Sequence, residues 1–398
     1  MEPKIRFKGF DGEWKTSTIG DFTTSFSGGT PTAGASEFYG GNIPFIRSGE
    51  IHESKTELFL TEAGLNNSSA KVVEKGTLLY ALYGATSGEV GISKIKGAIN
   101  QAILAIYPNK TVDKRFLANY LQSHKQKIVG ELLQGGQGNL SGALVKSISV
   151  TYPNNREQQT ISDYVDSLDS QIFASTSRLA SLKQMKAASL QAMFPQEGET
   201  VPKIRFKGFE GEWKKVKLSE ILTERHENST ITDSLPQLSF TIADGVIRPE
   251  DRKSNKRDFL IKDIDNKRYL VTKVGDIIYN PANVVYGAIH RNSLMNGVVS
   301  PIYKIFTTMQ DSNFIECAVR RPSFITKLAM CTEGTVTKLK TLKPEAFLNM
   351  EVCITPSLEE QKLIGNYFTS LDRQISLQSQ SLEKLKQIKS ACLDKMFV

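Results

Sequence analysis

Gln134, Gln137 and Asn139 ride on the glycine-rich stretch Gly135-Gly136-Gln137-Gly138-Asn139, where little steric restraint opposes a close approach to a ligand. Such carboxamides can pair bidentately with adenine in a major groove; a plain surface loop is the other reading, and both stand. In the second half of the chain, Glu333-Gly334-Thr335-Val336-Thr337-Lys338-Leu339-Lys340 takes the corresponding place, and its Thr335, Lys338 and Lys340 would suit phosphate or guanine. A second set is Tyr83, Thr86 and Ser87 around Gly84-Ala85-Thr86-Ser87-Gly88, matched later by Asn283, Tyr286 and Arg291. Arg47-Ser48, after the strand-like Ile43-Pro44-Phe45, is a further candidate for a base or phosphate contact. The densest basic stretch is Arg248, Arg252, Lys253, Lys256 and Arg257, with Lys267 and Arg268. It is either a solvated face or a set of phosphate contacts, which position a protein without specifying sequence.

Catalytic chemistry finds less support. Neither glycine-rich stretch ends in the Gly-Lys-Ser/Thr of a nucleotide-binding loop. Asn280-Pro281-Ala282-Asn283 lacks the second proline and the aromatic residue of the amino-methyltransferase motif, and reads as a turn after a strand. The four cysteines (Cys317, Cys331, Cys353, Cys392) form no Cys-x-x-Cys pair and the four histidines are scattered, so no metal site is expected. Reduced thiols, the absence of a signal-like start and the absence of a long apolar run lead to an expectation of a cytoplasmic protein without membrane contact. The formal net charge is +8. Residues 1–200 hold 20 of the 50 Lys and Arg and 19 of the 42 Asp and Glu, so the basic excess lies in the second half.

The elements that must position these residues are duplicated. Residues 3–15, PKIRFKGFDGEWK, return at 202–214 with Asp11 replaced by Glu210. Residues 157–194 are mirrored by 360–397, with Ser167-Leu168-Asp169 matching Ser370-Leu371-Asp372 and Leu182-Lys183-Gln184 matching Leu385-Lys386-Gln387. Between the matched ends lie two divergent stretches, 16–152 and 215–355, that keep a faint common skeleton: Gly76-Thr77-Leu78-Leu79-Tyr80 parallels Gly275-Asp276-Ile277-Ile278-Tyr279, a strand opened by a turn glycine. Strand-like runs at 103–107 and 147–150, and helical stretches near 113–133 and 312–332, make each a mixed α/β globule. No Pro or Gly interrupts Arg156–Phe194, and Ile161, Leu168, Ile172, Leu179 and Leu182 follow a heptad seam, repeated by Ile364, Leu371, Ile375, Leu382 and Leu385. A helix of that length runs about 55 Å. Asn154 or Asn155 can cap the first, and Ser357 with Glu360 matches a capping box for the second. The expected fold is α+β: a pseudo-two-fold duplication of two α/β domains separated by two long helices in an antiparallel coiled coil. The expected boundaries are 1–155, 156–196, 197–356 and 357–398.

The repeated Arg-Phe-Lys-Gly-Phe-[Asp/Glu]-Gly-Glu-Trp motif, and the Glu-Gln-opened helix ending in Met-Phe behind each variable stretch, resemble the specificity subunit of type I restriction–modification systems over the whole chain. The resemblance implies a non-catalytic subunit in which each variable stretch is a target recognition domain reading one half of a bipartite, gapped double-stranded DNA sequence. It further implies that the helices set the gap and dock two methyltransferase subunits, which restriction (translocase–nuclease) subunits then join. S-adenosylmethionine, ATP and magnesium would belong to those partners, which carry out adenine methylation and restriction. A motif kept while the reading surface diverges should serve packing or a shared docking contact. Phe7, Phe10, Trp14, Phe206, Phe209 and Trp213 are therefore assigned, with the seam residues, to assembly, and both tryptophans to buried anchors. The alternatives are a coiled-coil scaffold with two protein-binding heads and a stand-alone DNA-modifying enzyme.

Overall fold

A computed structural model describes residues 2–132, 139–252, 268–332 and 341–398. The chain forms two compact units: Met1–Thr176 together with Gln380–Val398, and Ser177–Ser379. The unit borders fall inside the two long helices, Asn155–Ala192 and Leu358–Met396, so each unit is built from parts of both.

In the first unit a four-stranded antiparallel sheet has the order Thr23–Ser27, Ile103–Pro108, Leu78–Ala81, Val90–Ile92. Its central strand Leu78–Ala81 is buried on both faces, which explains a continuous apolar run where alternation would mark a half-exposed strand. Gly76 opens it at φ 89°, a conformation that excludes most side chains, and its N–H donates to the Ser93 carbonyl at 2.7 Å. A second sheet, in the order Leu58–Leu60, Tyr39–Ile46, Gly97–Ile99, Lys71–Val73, covers one face. Helices Lys114–Ser123 and Lys125–Leu132 cover the other.

The second unit repeats the four-stranded sheet in the order Leu222–Glu224, Lys304–Thr308, Ile277–Tyr279, Ile289–Arg291. Gly275, at φ 97°, opens its central strand in the same way. The accompanying sheet is rewritten as the strands Asn228–Ser229, Tyr269–Thr272 and Gly297–Val299 plus a hairpin, Ser239–Thr241 with Gly245–Ile247. Each helical stretch expected from sequence is two helices: Lys114–Ser123 then Lys125–Leu132, and Ser312–Val319 then Pro322–Met330. In the second pair Pro322 begins a new helix because it cannot continue the old one. The strand expected at 147–150 runs instead from Ser149 to Tyr152 and pairs with Lys15–Thr18.

Repeated residues close each unit. Within the first, Asp169 of one long helix meets Lys389 of the other at 2.5 Å; within the second, Lys186 meets Asp372 at the same distance. A second contact inside each unit makes the paired segments antiparallel: Tyr164 meets Cys392 in the first, and Ser189 Oγ lies 2.9 Å from the Tyr367 hydroxyl in the second; the two ion pairs are counterparts under the repeat. Of the seam residues, Ile161, Leu168, Ile364, Leu371 and Leu382 are buried, with Ile161 in the core of the first unit and Ile364 and Leu371 in that of the second, while Ile172, Leu179, Leu182, Ile375 and Leu385 are half-buried. Met193 and Phe194, directly after the first helix, enter the core of the second unit, whereas Met396 and Phe397 enter that of the first. There each phenylalanine meets a buried aromatic cluster: Phe397 lies 5.2 Å from Phe116, which packs on Trp14, and Phe194 lies 5.3 Å from Phe314 and 5.6 Å from Trp213.

Candidate nucleic-acid interface

The entry to each long helix is built from the repeated motif. Arg6 donates through Nε and Nη2 to the two oxygens of Glu157 at 2.7 and 2.8 Å, and Arg205 does the same to Glu360 at 2.6 and 2.9 Å. Both carboxylates are fully buried, and bidentate Arg pairing is what makes that burial tolerable. The neighbouring Gln158 accepts from the backbone N–H of Asp113 and donates to the Pro153 carbonyl. Gln361 likewise accepts from Asp311 and donates to Thr355. Asp113 and Asp311 in turn cap the next helices, Lys114–Ser123 and Ser312–Val319. Motif, long helix and α/β globule are thus tied by one hydrogen-bonded chain in each unit. Asn154 is the cap of the first helix, accepting from Glu157 N–H at 3.0 Å. At the second, Ser357 accepts from Glu360 N–H, but the reciprocal half of the expected capping box is missing. Arg205 has taken the Glu360 carboxylate, and the Ser357 N–H turns to Thr355.

The polar candidates gather where the central strands end. In the first unit Tyr83, Thr86 and Ser87 form the turn after Leu78–Ala81; Ser87 Oγ donates to the Leu82 carbonyl at 3.2 Å. Leu140 N–H donates to that same carbonyl at 2.9 Å, bringing the exposed Asn139 beside the turn. His52 Nε2, in the segment after Arg47 and Ser48, lies 3.6 Å from Glu89 at the end of the turn. The ammonium of Lys125, with His52 behind it, holds the Glu89 carboxyl below its ordinary range. Candidates from two distant stretches, the 83–87 turn and Asn139, therefore share one face, with His52 close by. Arg47 is less available than its charge implies: its guanidinium donates to Glu50 at 3.0 and 3.1 Å and to Glu57, so a phosphate would have to displace carboxylates.

The second unit has the same plan. Asn283 precedes the short turn Val284–Tyr286 and closes it by accepting at its carbonyl from Tyr286 N–H at 3.0 Å, while Asn280 Oδ1 accepts from Ala282 N–H just before it, so the Asn-Pro segment is a turn. Tyr286 projects outward, 68% exposed. Leu342 N–H donates to the Pro281 carbonyl, so the chain after 333–340 returns to this turn as Leu140 does in the first unit. Arg291 points inward instead. Its side chain is 13% exposed and lies 3.7 Å from Glu316, so it is not presented to a ligand. Burial raises the Glu316 carboxyl, but His290, Arg320 and the Arg291 N–H outweigh it and leave it below the ordinary range. Arg252 is half-buried at the end of the turn Pro249–Asp251. Gln134, Gln137, Lys253, Lys256, Arg257, Thr335, Lys338 and Lys340 lie outside the described residues.

An apolar surface escaped the sequence reading. Ile5, Tyr164 and Ile388 in the first unit, and Ile204 and Met185 in the second, are all notably exposed. In the second unit Met185, Ile204, Phe206 and Tyr367 line one groove of about 380 Å³. In the first, Phe7 packs edge-on to Tyr164 at 5.5 Å, as Phe206 does to Tyr367 at 6.3 Å. The available signal was apolar identity at matched positions lying off the heptad seam.

A family model for the type I restriction modification DNA specificity domain matches residues 11–184 and again 210–387. The chain belongs to this family. Such specificity domains recognise DNA and carry no catalytic function. The chain is 31% identical over 170 residues to the type I restriction enzyme MjaIX specificity subunit of Methanocaldococcus jannaschii, an alignment covering 39% of this chain and 38% of that protein. It is 21% identical over 405 residues to the MjaVIII specificity subunit of the same organism, covering 96% and 91%. The crystal structure of a type I restriction-modification S subunit from M. genitalium superposes with a TM-score of 0.65 at 15% identity, covering 100% of this chain and 99% of that one. That likeness shows the fold. Among the described residues no group of His, Cys, Asp and Glu could hold a metal ion, and no helix is long and apolar enough to cross a membrane.

Proposed function

We propose that each unit of this specificity subunit reads one half of a gapped double-stranded DNA target, through the face where its central strand ends. The observation that supports this is the contrast within the repeat. The same sheet order and the same Arg–Glu and Gln–Asp ties recur in both units, while the turns at the strand ends carry Tyr83, Thr86 and Ser87 in one and Asn283 and Tyr286 in the other. Two scaffolds that are alike with different tips suit two different half-sites. The duplicated apolar surface around Tyr164 and Tyr367 supports docking of two copies of one partner, which we take to be methyltransferase subunits, with restriction subunits joining them. S-adenosylmethionine, ATP and magnesium are then held by those partners.

The deciding experiment co-expresses the chain with its methyltransferase subunit and maps adenine methylation across the host genome. One asymmetric motif with an unspecified gap is expected. Replacing residues 16–152 by those of another specificity subunit should change one half of the motif and spare the other. A contiguous motif, or loss of both halves on replacement, would refute the two-reader assignment.

A further inference from the structure

The end of the first unit opposite the reading face carries a groove of about 540 Å³ with an uncompensated positive charge. Lys75, Lys110 and Lys114 line it together with Asn109 and Gln159. None of the three lysines has a carboxylate within ion-pair distance among the described residues. Lys114 Nζ donates to the Gly76 carbonyl, a neutral partner that fixes the ammonium without neutralising it. The one acid on the wall, Asp113, is already occupied as a helix cap, accepting from the N–H groups of Arg115 and Phe116. Asn155 Nδ2 donates to the Lys110 carbonyl at 2.7 Å, and the Asn109 carboxamide accepts from Thr111 N–H at 2.8 Å. The turn that carries Lys110 is therefore held in place before any ligand arrives, which lowers the ordering cost of binding.

Place and contrast give this groove its meaning. Strand Leu78–Ala81 runs from Gly76 and Thr77 at the groove to the Tyr83 turn, so the groove is separated from the reading face by a strand of about 13 Å. The first half of the sequence is nearly neutral, so these cations are a local concentration rather than part of a general basic field. In the second unit the strand-opening position matching Lys75 is Val274, and the segment before the capping Asp311 carries Met309; they are 55% and 92% exposed. The repeat has preserved the backbone here, but the cation at the second opening, Lys273, is paired with Glu227 at 3.2 Å, whereas the lysines of the first groove have no such partner among the described residues.

We propose that this groove is a phosphate-binding site, one per chain, separate from the sequence-reading face. Its ligand is a phosphate group, supplied either by the backbone of DNA flanking the target or by a free polyphosphate. The inference stands apart from the assignment of half-sites, because it concerns residues outside the reading face and needs no particular target sequence.

The test uses the full chain in complex with its methyltransferase subunits and the double variant Lys75→Gln/Lys110→Gln. Both side chains are exposed and unpaired, so folding should be unaffected, which a urea midpoint equal to that of the parent will verify. Two probes are titrated, pyrophosphate and target DNA with and without 20 flanking base pairs. If free polyphosphate is the source, pyrophosphate binds once per chain and the variant weakens it at least tenfold. If flanking DNA is the source, the parent prefers the longer duplex, and the variant lowers the slope of log K against log salt by about two on that duplex alone. The methylation motif stays the same in either case. No stoichiometric pyrophosphate binding together with an unchanged salt slope on the longer DNA would overturn the proposal.

Discussion

At the scale of single residues, the two Arg–Glu pairs are where the repeated motif acts. Glu360 is fully buried, with Arg205 as its charged partner, so Arg205→Ala would leave a carboxylate uncompensated in a low-dielectric site. Removing one partner of such a pair costs about 3–5 kcal/mol, several times the worth of a surface ion pair. The expected outcome is a large fall in the urea midpoint for Arg205→Ala, and a partial recovery for Arg205→Ala with Glu360→Gln, because the second change removes the stranded charge. A midpoint unmoved by Arg205→Ala would show that the pair holds nothing. The identity of these residues was visible in the sequence as repetition, but their pairing was not. Glu360 stands three residues after Ser357, so local pattern assigned it to a capping box, and only the fold brings Arg205 from 155 positions away to claim it. Arg291 shows the same limit of local pattern: a charge near a polar turn looks available in sequence, whereas the strand phase of Ile289–Arg291 turns it toward Glu316.

At the scale of elements, the long helices were legible because both signals they depend on are local: heptad spacing and, in the first, the absence of Pro and Gly. Gly365 breaks that second signal in the other helix, and the structure explains it. A Cβ there would lie 2.5 Å from Asp311 Oδ1, 2.7 Å from Asn313 Cβ and 2.9 Å from the Phe314 backbone nitrogen. The helix crosses the start of Ser312–Val319 at a distance that admits only a hydrogen. At the matching place in the first helix, Ser162 fits and donates to the Gln158 carbonyl. Helix propensity alone would favour Gly365→Ala by about 1 kcal/mol. Overpacking against backbone and a capping carboxylate costs about 1–3 kcal/mol. The clash wins, so Gly365→Ala should lower thermal stability; a rise in the melting temperature would show that the crossing can relax. The sheets were less legible than the helices. Their strands are short, and the second sheet of each unit, where the two halves differ most, draws its partners from distant loops that no local pattern connects.

At the scale of the whole molecule, what matters is that two antiparallel clasps bound equal lengths of helix. From Asp169 to Lys186 on the first helix, and from Asp372 to Lys389 on the second, the chain covers the same number of residues, and each clasp joins one end of one stretch to an end of the other. If the helices set the gap between half-sites, lengthening one alone cannot do it. An insertion of four residues within 170–185 would leave the two stretches unequal and force one clasp to break or one helix to bulge. The same insertion made in both helices, within 170–185 and at the matching place within 373–388, keeps the clasps in register. It adds about 6 Å to each, which at about 3.4 Å per base pair is a spacer longer by about two. The matched insertion is therefore expected to shift the methylation motif to a longer gap with both half-sequences intact, whereas the single insertion lowers stability and yields little methylation. Methylation mapping of the two variants separates the cases. An unchanged gap in the matched variant would mean that the spacing is set elsewhere, by the docked subunits rather than by this chain.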